Sequence, residues 1–375
     1  MDISFKFDPE VLIGADTLSA AGTICGRYGK RIMIAADHAM DSITVNKLKE
    51  ILEDSNIEAI VFDGIEENST VDMADNIVEL THAAHCNAII GLGGYKTQLI
   101  ARMTAIMMPM RITSFELLEG RMFQSKFLPL ITIPTEGLDA FSLTNFFIAA
   151  DPRNRLVKYV RSPDGLYSAV IIDSNLLIQP SGANQATFLF DGLISAVEAY
   201  CSVKANFLSD ALLERAINFF AKLLRSGGSN ADVYAQACFL AAIGNALSSP
   251  GIGSALSYAI NARFPVQKQQ CSAVLLPYIM EKLINARPEK MARVASFLGS
   301  AGKTGSVAEA ANSAVTGIKN CMEAFKIQGD LKGFNIPLDR VTAAVEAVRS
   351  LEFIANSPWT VSYEDTFEIL RKILL

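Results

Sequence analysis

The chain has 375 residues, half of them hydrophobic, and a net charge of −6. One hydrophobic core rarely serves more than roughly 250–300 residues, so two domains are expected. The acidic balance, with no stripe of Lys and Arg, excludes a nucleic-acid surface.

Up to about residue 165, short β-branched runs alternate with longer amphipathic segments, the pattern of βαβ units around a largely parallel sheet. Strands are expected at Arg31–Ala36, Glu58–Phe62, Ala88–Leu92, Leu130–Pro134, Asn145–Ala149 and Ala169–Asp173. Helices are expected at Asp16–Tyr28, Ser42–Ser55, Thr70–Ala84 and Thr97–Met107. After Pro180 the β-branched alternation stops, and helical periodicity runs almost to Leu375. Gly227-Gly228, Pro250-Gly251, Pro288 and Pro337 mark helix boundaries there. An α/β domain over 1–178 and an all-α domain over 179–375 are therefore expected, the second a bundle rather than a solenoid.

Six scattered cysteines without a CxxC pair read as free thiols in a reducing compartment. The opening MDISFKFDPEVLIG has no basic n-region followed by an apolar core, so it is not read as a signal peptide. Met103–Met110 is apolar but far shorter than the roughly 18 residues of a membrane span, and it reads as core packing. A soluble cytoplasmic protein with no membrane partner is expected.

Gly91-Leu-Gly-Gly-Tyr-Lys-Thr97 joins an expected strand to an expected helix. Glycines at such a junction let backbone N–H groups approach a phosphate, which the helix N-terminus and Lys96 would also attract. An ordinary strand-to-helix turn needs glycine as well, so the motif alone leaves both readings open. Asp37 ends the first expected strand, where a carboxylate could bind an adenosine ribose or simply cap the next turn. The two features together favour a nucleotide fold.

Several further segments follow one another in a known order: Ile133-Pro134-Thr135 with Thr144, Val157-Lys158-Tyr159, Asp191-Gly-Leu-Ile-Ser-Ala-Val-Glu-Ala-Tyr200, Gly251-Ile-Gly-Ser-Ala-Leu-Ser-Tyr258 with Leu275-Leu276-Pro277, and Asn356-Ser-Pro-Trp-Thr-Val-Ser-Tyr-Glu-Asp365. With the glycine motif they resemble the iron-containing (group III) alcohol dehydrogenases, glycerol dehydrogenases among them, and more distantly dehydroquinate synthase. The resemblance implies an N-terminal nucleotide-binding α/β domain, an all-α C-terminal domain, a nicotinamide cofactor, a small alcohol or carbonyl substrate and a homodimer. It carries cofactor contacts to Asp37, Gly93, Gly94, Tyr95, Lys96, Thr135, Glu136, Asp139, Thr144 and Lys158. NAD is the expected form, because Asp37 would repel the extra phosphate of NADP, although one nearby basic residue would reverse that preference. Tyr95 stands in place of a third glycine, and Glu136 and Asp139 replace small or hydroxyl residues. If those carboxylates face a pyrophosphate, they repel it.

The metal ligands of that family map to Asp191, Ser195, Ser254 and Lys268. All three histidines, His38, His82 and His85, precede residue 86. One carboxylate, two hydroxyls and an ammonium make a poor site for iron or zinc, so no metal is expected in the ancestral position. Lys268 could replace the metal as electrophile, with Asp191 as its orienter and Tyr258 as proton donor. Alternatively, Lys268 and Asp191 form a salt bridge that only neutralises a vacated cavity. At the level of function, a metal-free NAD(P)-dependent oxidoreductase stands against a catalytically silent binding or regulatory module. A lyase or cyclase like dehydroquinate synthase ranks last, since few basic residues surround Lys268.

Overall fold

The computed structural model describes residues 6–121, 127–178, 182–302 and 305–374. Pro180 and the 178/179 boundary region therefore lie partly outside the described residues. By packing, the chain forms two compact units: Met1–Leu138 with Asn145–Pro152 and Val160–Ile178, and Asp139–Thr144 with Arg153–Tyr159 and Gln179–Leu375.

The first unit is built on eight strands: β1 (Glu10–Gly14), β2 (Arg31–Asp37), β3 (Glu58–Ile65), β4 (Ala88–Gly93), β5 (Leu130–Pro134), β6 (Phe146–Ala150), β7 (Val157–Arg161, shared with the second unit) and β8 (Tyr167–Asp173). Its helices are α1 (Ala21–Cys25), α2 (Ser42–Asp54), α3 (Met73–Ala83), α4 (Tyr95–Met107) and α5 (Ser114–Leu118). Six strands form a parallel sheet in the order β1-β8-β5-β4-β2-β3. Every residue of β4 and β5 is buried, as befits central strands covered on both faces. The chain moves outward from β2 to β3 and then returns to β2's other side as β4. This reversal opens a crevice at the carboxyl ends of β2 and β4.

Three expectations change. Asn145–Ala149 was expected as one strand of the parallel sheet, but Phe146–Ala150 instead pairs with β7 in a separate two-stranded sheet. Only residues 151–156 join them, too few for a parallel crossover. The expected helix over 16–28 is a 3-10 turn, Thr17–Ala20, followed by the five-residue α1. The Asp173 carboxylate accepts the backbone N–H groups of Asp16 and Leu18 and fixes that turn. Finally, α4 begins at Tyr95 rather than Thr97, which puts Tyr95 and Lys96 in its first turn.

The second unit is helical: α6 (Ala183–Cys201), α7 (Phe207–Ser226), α8 (Ala231–Leu247), α9 (Ile252–Arg263), α10 (Lys268–Ala286), α11 (Pro288–Leu298), α12 (Val307–Ala324), α13 (Leu338–Arg349) and α14 (Tyr363–Leu374). Its punctuation follows the local chemistry. Gly227 ends α7 in the left-handed conformation, Gly251 precedes α9, Pro288 opens α11 and Pro337 precedes α13. Asn206 and Ser306 close capping boxes on α7 and α12. Among the described residues no single helix is long and apolar enough to cross a membrane; α8 and α9 pass that test only as a pair bent by 108°.

The core of this unit is α6, whose residues Leu193–Cys201 are all buried. Gly192 lets α7 approach: a Cβ there would lie 2.3 Å from Cζ of Phe220, a ring with no exposed surface. Gly192→Ala is expected to destabilise the protein by about 1–3 kcal/mol despite alanine's better helix propensity. Urea unfolding of the two proteins side by side checks this, and an unchanged midpoint would show that Phe220 yields without strain.

Candidate active site

Lys268 is the first residue of α10. An ammonium has the wrong sign for a helix N-terminus, so its placement there needs compensating anions. Two are present. Lys268 Nζ lies 2.5 Å from Asp191 Oδ2 and 3.3 Å from Asp139 Oδ2, with the Lys268 side chain 2% exposed. Burial alone would lower the Lys268 pKa, but Asp191 and Asp139 reverse that effect and hold it above the ordinary lysine value.

Both carboxylates are held in turn. Ser272, one helical turn after Lys268, donates its hydroxyl to Asp191 Oδ1 at 2.6 Å. Tyr258 on α9 donates its phenol to Asp139 Oδ2. The Lys268 ammonium stands 5.0 Å from the centre of the Tyr258 ring, and Phe141 packs edge-on against that ring. Lys268, Asp191, Asp139, Ser272 and Tyr258 thus form one cluster wholly within the second unit, with Lys268 and Ser272 buried and the other three partly exposed. It contains a cation, a polarised phenol and two fixed carboxylates, the components needed to stabilise charge on an oxygen and to deliver a proton.

Ser195 and Ser254, the other two positions to which the resemblance assigns metal ligands, are buried. Ser195 Oγ donates to the Gly192 carbonyl at 3.0 Å and accepts from Asn245 Nδ2 at 3.3 Å. Ser254 donates both its hydroxyl, at 2.8 Å, and its N–H, at 3.0 Å, to Glu198 Oε2. Glu198 Oε1 also accepts the Gly253 N–H at 2.6 Å, so this carboxylate caps the start of α9. Burial pushes the Glu198 carboxyl up to about 7, against the opposing pull of these donors.

These residues do not fit a divalent ion. Of the four positions that the resemblance assigns to metal ligands only Asp191 supplies a carboxylate, and its two oxygens are engaged by Lys268 and Ser272. The ammonium would repel any cation placed beside it. Among the described residues no three His, Cys, Asp or Glu side chains group into a metal site.

In the first unit, Asp37, the Gly93-Gly94 turn and Thr135-Glu136 come off the carboxyl ends of the adjacent strands β2, β4 and β5. The Asp37 carboxylate accepts the Ala39 N–H at 3.0 Å, so it caps its own turn whatever else it binds. Gly93 has φ +151°, and a Cβ on it would meet Asp37 Cβ at 2.8 Å. Thr135 donates its N–H to the Gly93 carbonyl at 3.1 Å. Lys96 is largely buried in the first turn of α4, which lowers its pKa. A glycine turn at a helix start attracts anions, and here Glu136 takes that place: its carboxylate accepts the Tyr95 N–H at 3.2 Å.

Three expected cofactor residues belong to the second unit. Asp139 was expected to face the cofactor, but its carboxylate is on Lys268 and Tyr258, where it neutralises buried positive charge. Thr144 is buried and donates to the Phe141 carbonyl at 3.0 Å, and Lys158 lies on β7. Sequence reasoning also missed Ser272, Glu198 and Gln98. The Gln98 amide nitrogen donates to the carbonyls of Gly91, Gly93 and Ile133 and so ties the glycine turn to β5. The four-residue spacing of Lys268 and Ser272 was the available signal for Ser272.

Models of the iron-containing alcohol dehydrogenase and of the C-terminal region of that family match residues 8–174 and 186–374. The chain belongs to the iron-containing alcohol dehydrogenase family. Its relatives include a 1,3-propanediol dehydrogenase of Citrobacter freundii, 26% identical over 76% of each chain. An NAD-dependent methanol dehydrogenase of Bacillus methanolicus is 19% identical over 99% of this chain and all of its own. A solved 1,3-propanediol oxidoreductase superposes with a TM-score of 0.91 at 22% identity, covering all of both chains. The family's enzymes are alcohol oxidoreductases, and the parallel α/β unit and helical unit seen here are its fold.

Proposed function

We propose that this chain is an NAD(P)-dependent oxidoreductase that interconverts a small alcohol and its aldehyde or ketone without a metal at the ancestral site. The observation that carries this reading is the buried Lys268 ammonium held between Asp191 and Asp139 at a position where the family places a metal ligand. The NAD dependence of the Bacillus methanolicus relative supports the choice of cofactor.

When bound, nicotinamide would supply or accept the hydride. The rest falls to this chain's residues. Lys268 stabilises negative charge on the substrate oxygen, and Asp191 and Asp139 keep it protonated throughout the working pH range. At rest Asp139 Oδ2 accepts the Tyr258 O–H and so positions the phenol. In reduction that O–H would turn from Asp139 to the substrate oxygen and give up its proton while hydride reaches the carbon, the phenolate then being reprotonated from water, and in oxidation these movements reverse.

Purified protein is expected to oxidise NADH or NADPH in the presence of small aldehydes or ketones, and the rate is expected to stay within twofold after exhaustive treatment with a chelator. Elemental analysis of the same sample should find well below one metal ion per chain. Stoichiometric iron or zinc, with activity lost on chelation, would overturn the metal-free assignment. A second reading, a catalytically silent binding module, is favoured by the carboxylate of Glu136 at the glycine turn. Saturable turnover that disappears in Lys268→Ala with the fold intact would rule it out.

A further inference from the structure

Two glycines form the turn between β4 and α4, and they serve different ends. Gly93 has a positive φ that only glycine adopts easily. Gly94 has φ −73° and ψ −176°, an ordinary extended conformation open to any residue. What Gly94 provides is therefore space, and the protein's own carboxylate fills it. A Cβ at Gly94 would lie 2.4 Å from both the carboxyl carbon and Oε2 of Glu136, and 2.6 Å from Oε1.

The carboxylate lies flat on the glycine and accepts the N–H of Tyr95, the first residue of α4. The unpaired N–H groups and partial positive charge of a helix start attract anions, and this thirteen-residue helix already has one. Glu136 is held there by its backbone. It follows Thr135, whose N–H is bonded to Gly93, and precedes Gly137, whose φ of +97° turns the chain away.

A second observation marks the turn as a cradle for a ligand. Thr97, with no exposed surface, has a hydroxyl without a hydrogen-bond partner, and that hydroxyl faces the Gly93 backbone, 2.9 Å from where a Cβ would stand. A buried hydroxyl left unpaired is costly, and one beside an anion-binding turn has a natural partner in a phosphate oxygen.

We infer that Glu136 is an internal anion that competes with the dinucleotide pyrophosphate for the Gly93–Tyr95 turn and so sets the protein's affinity for its nucleotide. This inference rests on the oxidoreductase reading, which supplies the ligand. For the pyrophosphate to bind, the Glu136 side chain must leave Gly94 and the Tyr95 N–H. Like-charge repulsion also opposes any arrangement that keeps both anions at the turn. Nucleotide binding is weakened as a result, while the Tyr95 N–H keeps a partner when no nucleotide is bound.

The test is a titration with NADH, followed by nicotinamide fluorescence, on the full-length wild type, Glu136→Gln and Glu136→Ala. The glutamine variant keeps the shape and removes the charge; the alanine variant removes both. Both are expected to bind NADH at least about tenfold more tightly than the wild type. Saturable binding that is equal or weaker in both variants would overturn the inference and leave the oxidoreductase reading standing. Absence of NADH binding in all three proteins would overturn both.

Discussion

Lys268→Met is expected to lower the free energy of unfolding by about 3–5 kcal/mol and to reduce turnover by a factor on the order of 100–1000. The first effect follows from burial. Removing the ammonium leaves Asp191 and Asp139 facing the same buried space with no cation between them, and an uncompensated buried charge is among the most destabilising products of a single substitution. The second follows only if the ammonium contacts the reacting oxygen, because an ion pair that merely fills a cavity has no part in the transition state.

A double variant separates the two effects. Lys268→Met with Asp191→Asn removes the cation together with the anion 2.5 Å from it, and it is expected to recover at least half of the lost stability. If Lys268 is the electrophile, turnover stays low in this stable protein. Recovery of turnover alongside stability would reduce the pair to a structural salt bridge. Denaturant unfolding and steady-state reduction on the same preparations give both answers. Arginine at 268 is not a neutral control, since a planar guanidinium presents its donors in a different geometry from a compact ammonium.

The fold was legible wherever one local signal dominated. The continuous apolar runs of β2, β4 and β5 reflect burial on both faces, and the glycine and proline punctuation of the helical unit follows from φ preferences that act within a few residues. Legibility failed where the outcome is set by distant partners. β1 is a five-residue edge strand without a clear period, defined by its pairing with β8 more than 150 residues later. The cluster behaves the same way. Lys268 and Asp191 are 77 residues apart and were joined in advance only because the family's ligand order places them together. Asp139 has no such tag, and its position beside Thr135 and Glu136 in sequence suggested the cofactor. The long-range need to neutralise a buried ammonium draws it instead into the second unit. Glu136 was suspect from its charge alone, but its fit over Gly94 required coordinates.

Glu198 should give the protein a stability that falls as pH rises through the weakly acidic range. In the folded protein its carboxyl titrates at about 7, against 4.5 for an ordinary glutamate. A group whose folded pKa is raised binds its proton more tightly in the native state, so the stability it contributes is fully present below about 4.5 and lost between there and about 7. At about 1.4 kcal/mol for each pH unit of difference, the whole loss comes to about 3.5 kcal/mol. Glu198→Gln carries no charge to bury; its amide oxygen can replace one carboxylate oxygen, while its NH2 faces the N–H that the other accepted, a cost that is the same at every pH and cancels in the comparison. Unfolding free energies measured at pH 5 and pH 8 should therefore differ by about 2.5 kcal/mol less in the glutamine variant than in the wild type. Every other titrating group is common to both proteins and cancels in that comparison. Parallel pH profiles would mean that the donors of Gly253 and Ser254 keep the carboxylate ionised in spite of its burial. Glu198→Ala should be costly at either pH, because it strands those three donors in a site almost closed to water.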